Sequence, residues 1–241
     1  ADCASKVTFS WAGNPGVGSL RAFRRAIEDE VPSPLEIDEY THFGLMTRLA
    51  AGARGLPFQP VKTFAGSDLP KHNDNIRKVD NPFGNETVYA VPPLNPDVAV
   101  IRAQRADPSG NAQVWGIEGE ISEAAHAAEQ VVVCVEEVVE EGITRSDPNR
   151  TVITSTDVDY VVEDPYGSHP SYAQGYYDRD NEAYLEWDEV TKSHERTQQW
   201  LEEWVYDLDN HDEYLEKLNT ERLLTLDPDS DYATPVDMGK Y

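Results

Sequence analysis

The chain has 241 residues, with 45 acidic against 20 basic side chains and a formal charge of −25. Nucleic-acid affinity comes from Lys and Arg neutralising phosphates, so this balance excludes a nucleic-acid partner and argues equally against docking on anionic lipid headgroups. No run approaches the ~18 apolar residues of a membrane span and no basic-then-apolar leader opens the sequence, so a cytoplasmic protein is expected.

In chain order, residues 7–11 read as a short strand, followed by the turn-forming loop Gly13-Asn14-Pro15-Gly16-Val17-Gly18. Ser19 reads as the cap of a helix with Leu20, Phe23 and Ile27 on one face and Arg21, Arg24 and Arg25 outside it. Residues 36–54 read as a second helix, stopped by Gly55 with Pro57 two residues on. A short strand at 61–64 runs into Gly66-Ser67-Asp68. Residues 87–91 and 98–103 read as buried strands on either side of the rigid turn Pro92-Pro93-Leu94-Asn95-Pro96-Asp97.

A short Ala-rich helix at 122–129 precedes Val131-Val132-Val133-Cys134-Val135, an apolar run expected of a strand covered on both faces. Strands at 151–155 and 158–163 complete the alternation. It predicts an α/β domain over residues 1–180, a mostly parallel open sheet flanked by helices. From residue 181 the pattern is helical. Tyr184, Trp187 and Val190, then Trp200, Leu201, Trp204 and Val205, then Tyr214, Leu215 and Leu218 have core spacing. A C-terminal helical appendage is expected over 181–225 and an extended acidic tail over 226–241.

Hydrophobic residues make up 39% of the chain, below the ~45–50% usual for globular domains. Its 12 Tyr, 5 Trp and 6 Phe still supply a core. Cys3 and Cys134 suit no disulfide framework. Residues 1–120 hold 15 acidic and 12 basic side chains, residues 121–241 hold 30 and 8, and Lys is scarce at 7 against 13 Arg. An acidic, Lys-poor half that keeps aromatic residues at helical spacing suggests a surface adapted to high salt, where self-repulsion is screened.

The Gly13–Gly18 loop before a capped helix has anion-binding character, but it is neither G-x-G-x-x-G nor a P-loop, and a tight turn is the better reading. Gly66-Ser67-Asp68 either presents N–H donors and a hydroxyl to a substrate or turns the chain. Glu39, beside Tyr40 and His42, reads as an acidic residue near a helix start, with a nucleophile or general base as the chemical alternative. Glu136 and Glu137 follow the apolar strand, where they line a cleft, face solvent or pair with Arg. The six histidines and two cysteines have no metal-ligand spacing, so no metal is implied, and no G-x-S-x-G elbow nominates a catalytic serine.

An ordered set of landmarks carries a family resemblance. Glu39-Tyr40-Thr41-His42-Phe43-Gly44-Leu45, Gly55-Leu56-Pro57-Phe58, Gly66-Ser67-Asp68-Leu69 and Pro93-Leu94-Asn95-Pro96-Asp97 open it. Arg105-Ala106-Asp107-Pro108-Ser109-Gly110-Asn111, Glu136-Glu137, Pro165-Tyr166-Gly167-Ser168-His169-Pro170 and Gly175-Tyr176-Tyr177-Asp178-Arg179-Asp180 continue it. In order and spacing they resemble the A subunit of family I CoA-transferases, in the glutaconate CoA-transferase-like branch. The chain departs from that pattern at Arg102, where a His is common, and at Ile153-Thr154-Ser155, where Ile-Pro-Gly is usual. Relatives begin before this point, so the sheet is expected to lack its first strands.

The resemblance implies CoA transfer between an acyl-CoA and a carboxylic acid through a glutamyl-CoA thioester. It implies a partner B subunit that supplies the nucleophilic Glu, and CoA or acyl-CoA as substrate with no bound cofactor. This chain then forms one wall of the substrate cleft, for which Asn14, Gly66, Ser67, Asp68 and Asn95 are nominated. A hydrolase branch of the same fold, which opens rings of CoA-linked steroid fragments, offers an alternative in which Glu39 is base or nucleophile. An inactive truncated remnant is the third reading.

Overall fold

The structure, a computed structural model, describes residues 3–14 and 16–228. Of the expected tail, residues 229–241 lie outside the described residues, as does Pro15 of the first loop. The chain divides into two compact units. Among the described residues, one holds 8–11 and 38–167, and the other holds 3–7, 12–14, 16–37 and 168–228. β1 (Lys6–Phe9) and β2 (Glu36–Glu39) pair as a two-stranded sheet.

The first unit takes up the chain at Asp38, within β2, and continues through Thr41 into α2 (His42–Ala53), which corrects the expectation of one helix over 36–54. The Glu-Ile-Asp-Glu stretch is extended, and the helix starts where the Thr41 hydroxyl accepts the Gly44 N–H at 3.0 Å. β3 (Gln59–Val61), α3 (Leu69–His72), β4 (Arg77–Val79) and β5 (Val88–Val91) follow. The strand expected at 61–64 thus ends at Val61, and β4 has no counterpart in the sequence pattern. β3, β5 and β4 form an antiparallel sheet in that order. Tyr40, Val61, Phe64, Ile76 and Val91 make its core.

The main sheet contains β6 (Val98–Ala106), β7 (Ala112–Gln113), β8 (Gln130–Val138), β9 (Thr151–Ile153) and β10 (Tyr160–Glu163), in the order β10-β8-β6-β7-β9. β6 and β10 both run parallel to β8, with Val100 and Tyr160 each opposite Val132. β7 is antiparallel to β6 and to β9, so four strands run one way and only the two-residue β7 is reversed. One face packs Ala99, Ile101, Ala103, Val131, Val133 and Val135 into the core with Ala125 of α4 (Ile121–Ala127). The opposite face carries Val98, Val100, Tyr160 and Val162, all exposed, with Val100 at 71%. α5 (Glu141–Ser146) and a 3-10 turn at Pro148–Arg150 precede β9.

The Asp107 turn explains the Ala106-Asp107-Pro108-Ser109-Gly110-Asn111 signature. Its fully buried carboxylate accepts the Ser109 and Asn111 backbone N–H groups at 3.0 Å, the Asn111 amide at 2.8 Å and the Thr144 hydroxyl at 2.6 Å. Burial opposes its charge, but these donors together hold the carboxyl below the usual carboxylate range.

The second unit contains α1 (Arg21–Glu28), α6 (Asn181–Val190), α7 (His194–Leu201), α8 (His211–Leu218) and α9 (Thr220–Leu224). α7 continues into a π-helical turn at Glu202–Tyr206. Asp180, Ser193, Asn210 and Asn219 cap α6 to α9 through side-chain oxygens, which is why the acidic segment breaks into short helices. Ser19 does not cap α1; Leu20 stands at that position with no side-chain bond. The Ser19 backbone N–H instead donates to Asp188 at 3.0 Å, and Arg21 adds a second bond to the same carboxylate. Arg25 donates to the Thr191 carbonyl and the Thr197 hydroxyl, so Arg21 and Arg25, expected to stand clear, hold α6 and α7, while Arg24 does stand clear and pairs with Glu28 at 2.9 Å.

Candidate functional site

The residues nominated from the sequence fall at three places. Glu39 ends β2 and is exposed; its backbone carbonyl accepts the Asn73 side-chain amide at 3.0 Å. Its place is a strand end rather than a helix start. Gly66, Ser67 and Asp68 form an exposed turn before α3. The Ser67 N–H donates to the Phe64 carbonyl at 3.1 Å, and the Ser67 hydroxyl accepts the Leu69 N–H at 3.3 Å. Asp68 pairs with Lys71 at 2.5 Å.

Three contacts fix this turn to the β2–α2 corner. Thr63 and Thr41 hydroxyls meet at 2.9 Å, Phe64 meets the edge of Tyr40 with ring centroids 6.4 Å apart, and Asn73, just after α3, holds Glu39. Gly44 makes room for Phe64, since a Cβ there would sit 2.4 Å from the ring. Beside the same corner, Ser10 Oγ lies 2.6 Å from His42 Nδ1. Gly66 has φ +85° and open space where a Cβ would stand, so its backbone is approachable.

Behind the corner lies an ion pair that sequence reading did not single out. Arg48 and Asp38 are each 8% exposed in their side chains and lie 3.3 Å apart. Arg48 also donates to the Tyr40 hydroxyl at 2.9 Å and the Pro92 carbonyl at 3.1 Å. Burial pushes the Tyr40 phenol above its ordinary range. The i, i+10 separation of Asp38 and Arg48 across a strand-to-helix junction has no periodic signature.

Asn95 is committed elsewhere, donating its side-chain amide to the Ala127 carbonyl at the end of α4 at 3.0 Å. Near the C-terminal end of β8, Glu136 is paired with Arg: Arg102, at the middle of β6, binds it and also Asp164 just past β10, the latter at 2.9 Å. Glu136 further accepts the Tyr166 N–H at 2.7 Å, so the cleft-lining alternative loses this carboxylate to an internal network.

Asn14 belongs to the helical unit. Its carbonyl accepts the Val17 N–H at 3.2 Å, as a turn requires, and it lines a cavity of about 350 Å³ with His169, Trp187 and Trp204. His169 bridges Tyr214 at 2.6 Å and Asp180 Oδ2 at 2.9 Å, and Arg222 donates to that same Oδ2 at 2.6 Å and to Oδ1 at 3.2 Å. Burial works against the Asp180 charge, yet His169, Arg222 and the Ala183 N–H hold its carboxyl well below the usual range. Burial, reinforced by Asp180, pushes the Tyr214 phenol up to about 12. Ser-His-Pro followed eleven residues later by an acidic helix cap was the available sequence signal. Among the described residues, no group of three or more His, Cys, Asp or Glu is placed to hold a metal ion. No described helix is long and apolar enough to cross a membrane.

Residues 17–164 match the family described as Coenzyme A transferase. The chain is 46% identical over 218 residues to the A subunit of 3-oxoadipate CoA-transferase from Pseudomonas knackmussii, covering 90% of this chain and 77% of that one. To the A subunit of glutaconate CoA-transferase from Acidaminococcus fermentans it is 36% identical over 247 residues, covering 95% and 76%. The crystal structure of glutaconate coenzyme A-transferase from that organism superposes with a TM-score of 0.87 and 35% identity, covering 96% of this chain and 78% of that chain. A cholesterol ring-cleaving hydrolase subunit of Rhodococcus jostii is 34% identical over 162 residues, 64% of this chain and 55% of its own. The domain match, the identities and the shared fold lead to one conclusion: the chain belongs to the coenzyme A transferase family, as an A subunit.

Proposed function

We propose that this A subunit works with a B subunit that carries the nucleophilic Glu, and that together they exchange CoA between an acyl-CoA and a free carboxylic acid. The carboxylate attacks the thioester carbonyl, forming a mixed anhydride and releasing CoA thiolate. The thiolate attacks the glutamyl carbonyl, giving a glutamyl-CoA thioester and freeing the first acid. A second acid attacks that thioester to form a new anhydride, and the returning thiolate takes its acyl group and regenerates the Glu. Two covalent steps replace one difficult transfer, and backbone N–H donors stabilise the oxyanions.

The observation that carries the reading is the exposed Gly66–Asp68 turn clamped to the β2–α2 corner through Thr41 and Thr63. Its open Gly66 backbone suits close approach by a thioester. Asn95 contributes by holding the 92–97 turn against α4, and Asn14 lies in the helical unit. The enzyme acts in the cytoplasm, with a surface adapted to high salt, and no cofactor beyond its CoA substrate is assigned. Reconstitution with a B subunit tests the reading: an acyl-CoA and acid screen in molar KCl is expected to give CoA exchange with ping-pong kinetics. Hydrolysis without exchange would overturn it.

A second reading rests on Glu39, exposed at the same corner and held through its backbone by Asn73. The likeness to a ring-cleaving hydrolase subunit favours it. Glu39→Gln separates the two: full activity assigns the nucleophile to the partner, and complete loss assigns it to Glu39.

A further inference from the structure

The helical unit contains a chemistry that CoA exchange does not use. Tyr184, Trp187, Trp200, Trp204 and Tyr214 line one cavity of about 350 Å³, with Glu186 beside them. Their rings meet at steep angles at two corners, Trp187 to Trp200 at 68° with centroids 4.9 Å apart and Trp204 to Tyr214 at 75° with 6.1 Å. Trp204 stands on the π-helical turn that extends α7, a local irregularity that recurs at functional sites.

The polar groups of the lining leave an anion no welcome. Arg222 is held by both Asp180 oxygens and reaches Glu186 at 3.4 Å. Both ring nitrogens of His169 are engaged, by Tyr214 and Asp180. Around the cavity, residues 168–228 hold 16 acidic and 5 basic side chains, so the local potential favours positive charge. The aromatic cluster already attracts one cation of the chain: Lys217 Nζ lies 4.6 Å from the centre of the Trp204 ring. Ring faces carry negative quadrupoles, and several rings around a desolvated cation are the known solution for binding alkylated ammonium groups.

We propose that this cavity binds a small organic cation of the quaternary ammonium class, with the Trp and Tyr rings as walls and Glu186, whose carboxylate also meets Arg222 at 3.4 Å, as counter-charge. The inference is independent of the transferase reading, although Asn14 also lines the cavity, because it requires neither acyl-CoA nor a second polypeptide. Calorimetric titration of the full chain at constant ionic strength tests it, with choline against 3,3-dimethylbutan-1-ol, the uncharged isostere of the same shape. Choline is expected to bind about tenfold more tightly than the alcohol, with a change in Trp fluorescence. Trp204→Leu is expected to abolish binding, and Glu186→Gln, at a largely exposed side chain, to weaken it several-fold while far-UV circular dichroism stays unchanged. Equal affinity for cation and isostere would make the cavity a plain apolar pocket, and absence of choline binding to the folded chain would remove the site. Either result overturns the proposal, whatever the transferase assay gives.

Discussion

The hydroxyls of Thr41 and Thr63 lie 2.9 Å apart and join the start of α2 to the loop that ends in the Gly66–Asp68 turn. Thr41 also caps α2 through the Gly44 N–H, so one side chain serves the helix and the loop. Thr63→Val removes the bridge and leaves the cap. The expected cost is about 1 kcal/mol of stability, with a fall in kcat/KM of the reconstituted enzyme larger than stability explains. A double-mutant cycle with Thr41→Ala, which removes the second hydroxyl, measures the coupling, and a coupling near zero would make the bridge incidental.

Gly66→Ala probes backbone access at the same turn. Its positive φ makes the substitution cost about 1 kcal/mol, while the open space around it predicts no steric clash inside the protein. An activity loss well beyond that cost, with KM for acyl-CoA raised, is the expected result. Chemical denaturation and steady-state kinetics on one preparation give both numbers.

The buried pair Asp38–Arg48 has no solvent to replace a lost partner. Asp38→Asn is expected to destabilise the first unit by about 3 kcal/mol, read from the shift of its urea midpoint. A shift within error would mean that water or another group satisfies Arg48.

Acid and alkali act on different groups. The carboxyls of Asp107 and Asp180 are held below their unfolded values, so they bind fewer protons when folded. Their stabilisation is complete above the unfolded value of about 4 and is lost as pH falls below it. Tyr214 is shifted the other way, to about 12; its contribution is complete below the unfolded value of about 10 and disappears between there and the folded value. Urea midpoints are therefore expected to be flat from about pH 5 to 9 and to fall on both sides. Asp180→Asn is expected to flatten the acid limb.

Salt tests the surface. Thirty acidic side chains over residues 121–241 repel one another in dilute buffer, and screening relieves that repulsion. Tm is expected to rise from dilute buffer to molar KCl; greatest stability at low salt would remove the adaptation reading.

The main sheet was legible because its strands are continuous apolar runs. The Val131–Val135 stretch and residues 98–103 are strands, as their apolar runs predict, but the sheet is not covered on both faces, since Val98 and Val100 are exposed. The error at residues 36–54 had a physical cause. Ile37 is followed by buried Asp38 and Tyr40, whose value lies in pairing with Arg48, and such a pair looks polar in any hydropathy pattern. Ser19 is not the cap because the helix begins one residue later, behind Leu20; its backbone N–H donates to Asp188, a partner far away in sequence. The candidate site was legible as the residues of a corner. It was not legible as a geometry, because Thr63 and Asn73, which hold it together, carry no motif.

The apolar side chains on the open face of the parallel strands, Val98, Val100, Tyr160 and Val162, set a limit on handling the chain alone. Carboxylate repulsion keeps such faces apart in dilute buffer, and concentrated salt removes that protection while leaving apolar attraction intact. The isolated chain is therefore expected to be least soluble in the medium where its fold is most stable, and co-expression rather than salt is the route to a well-behaved preparation.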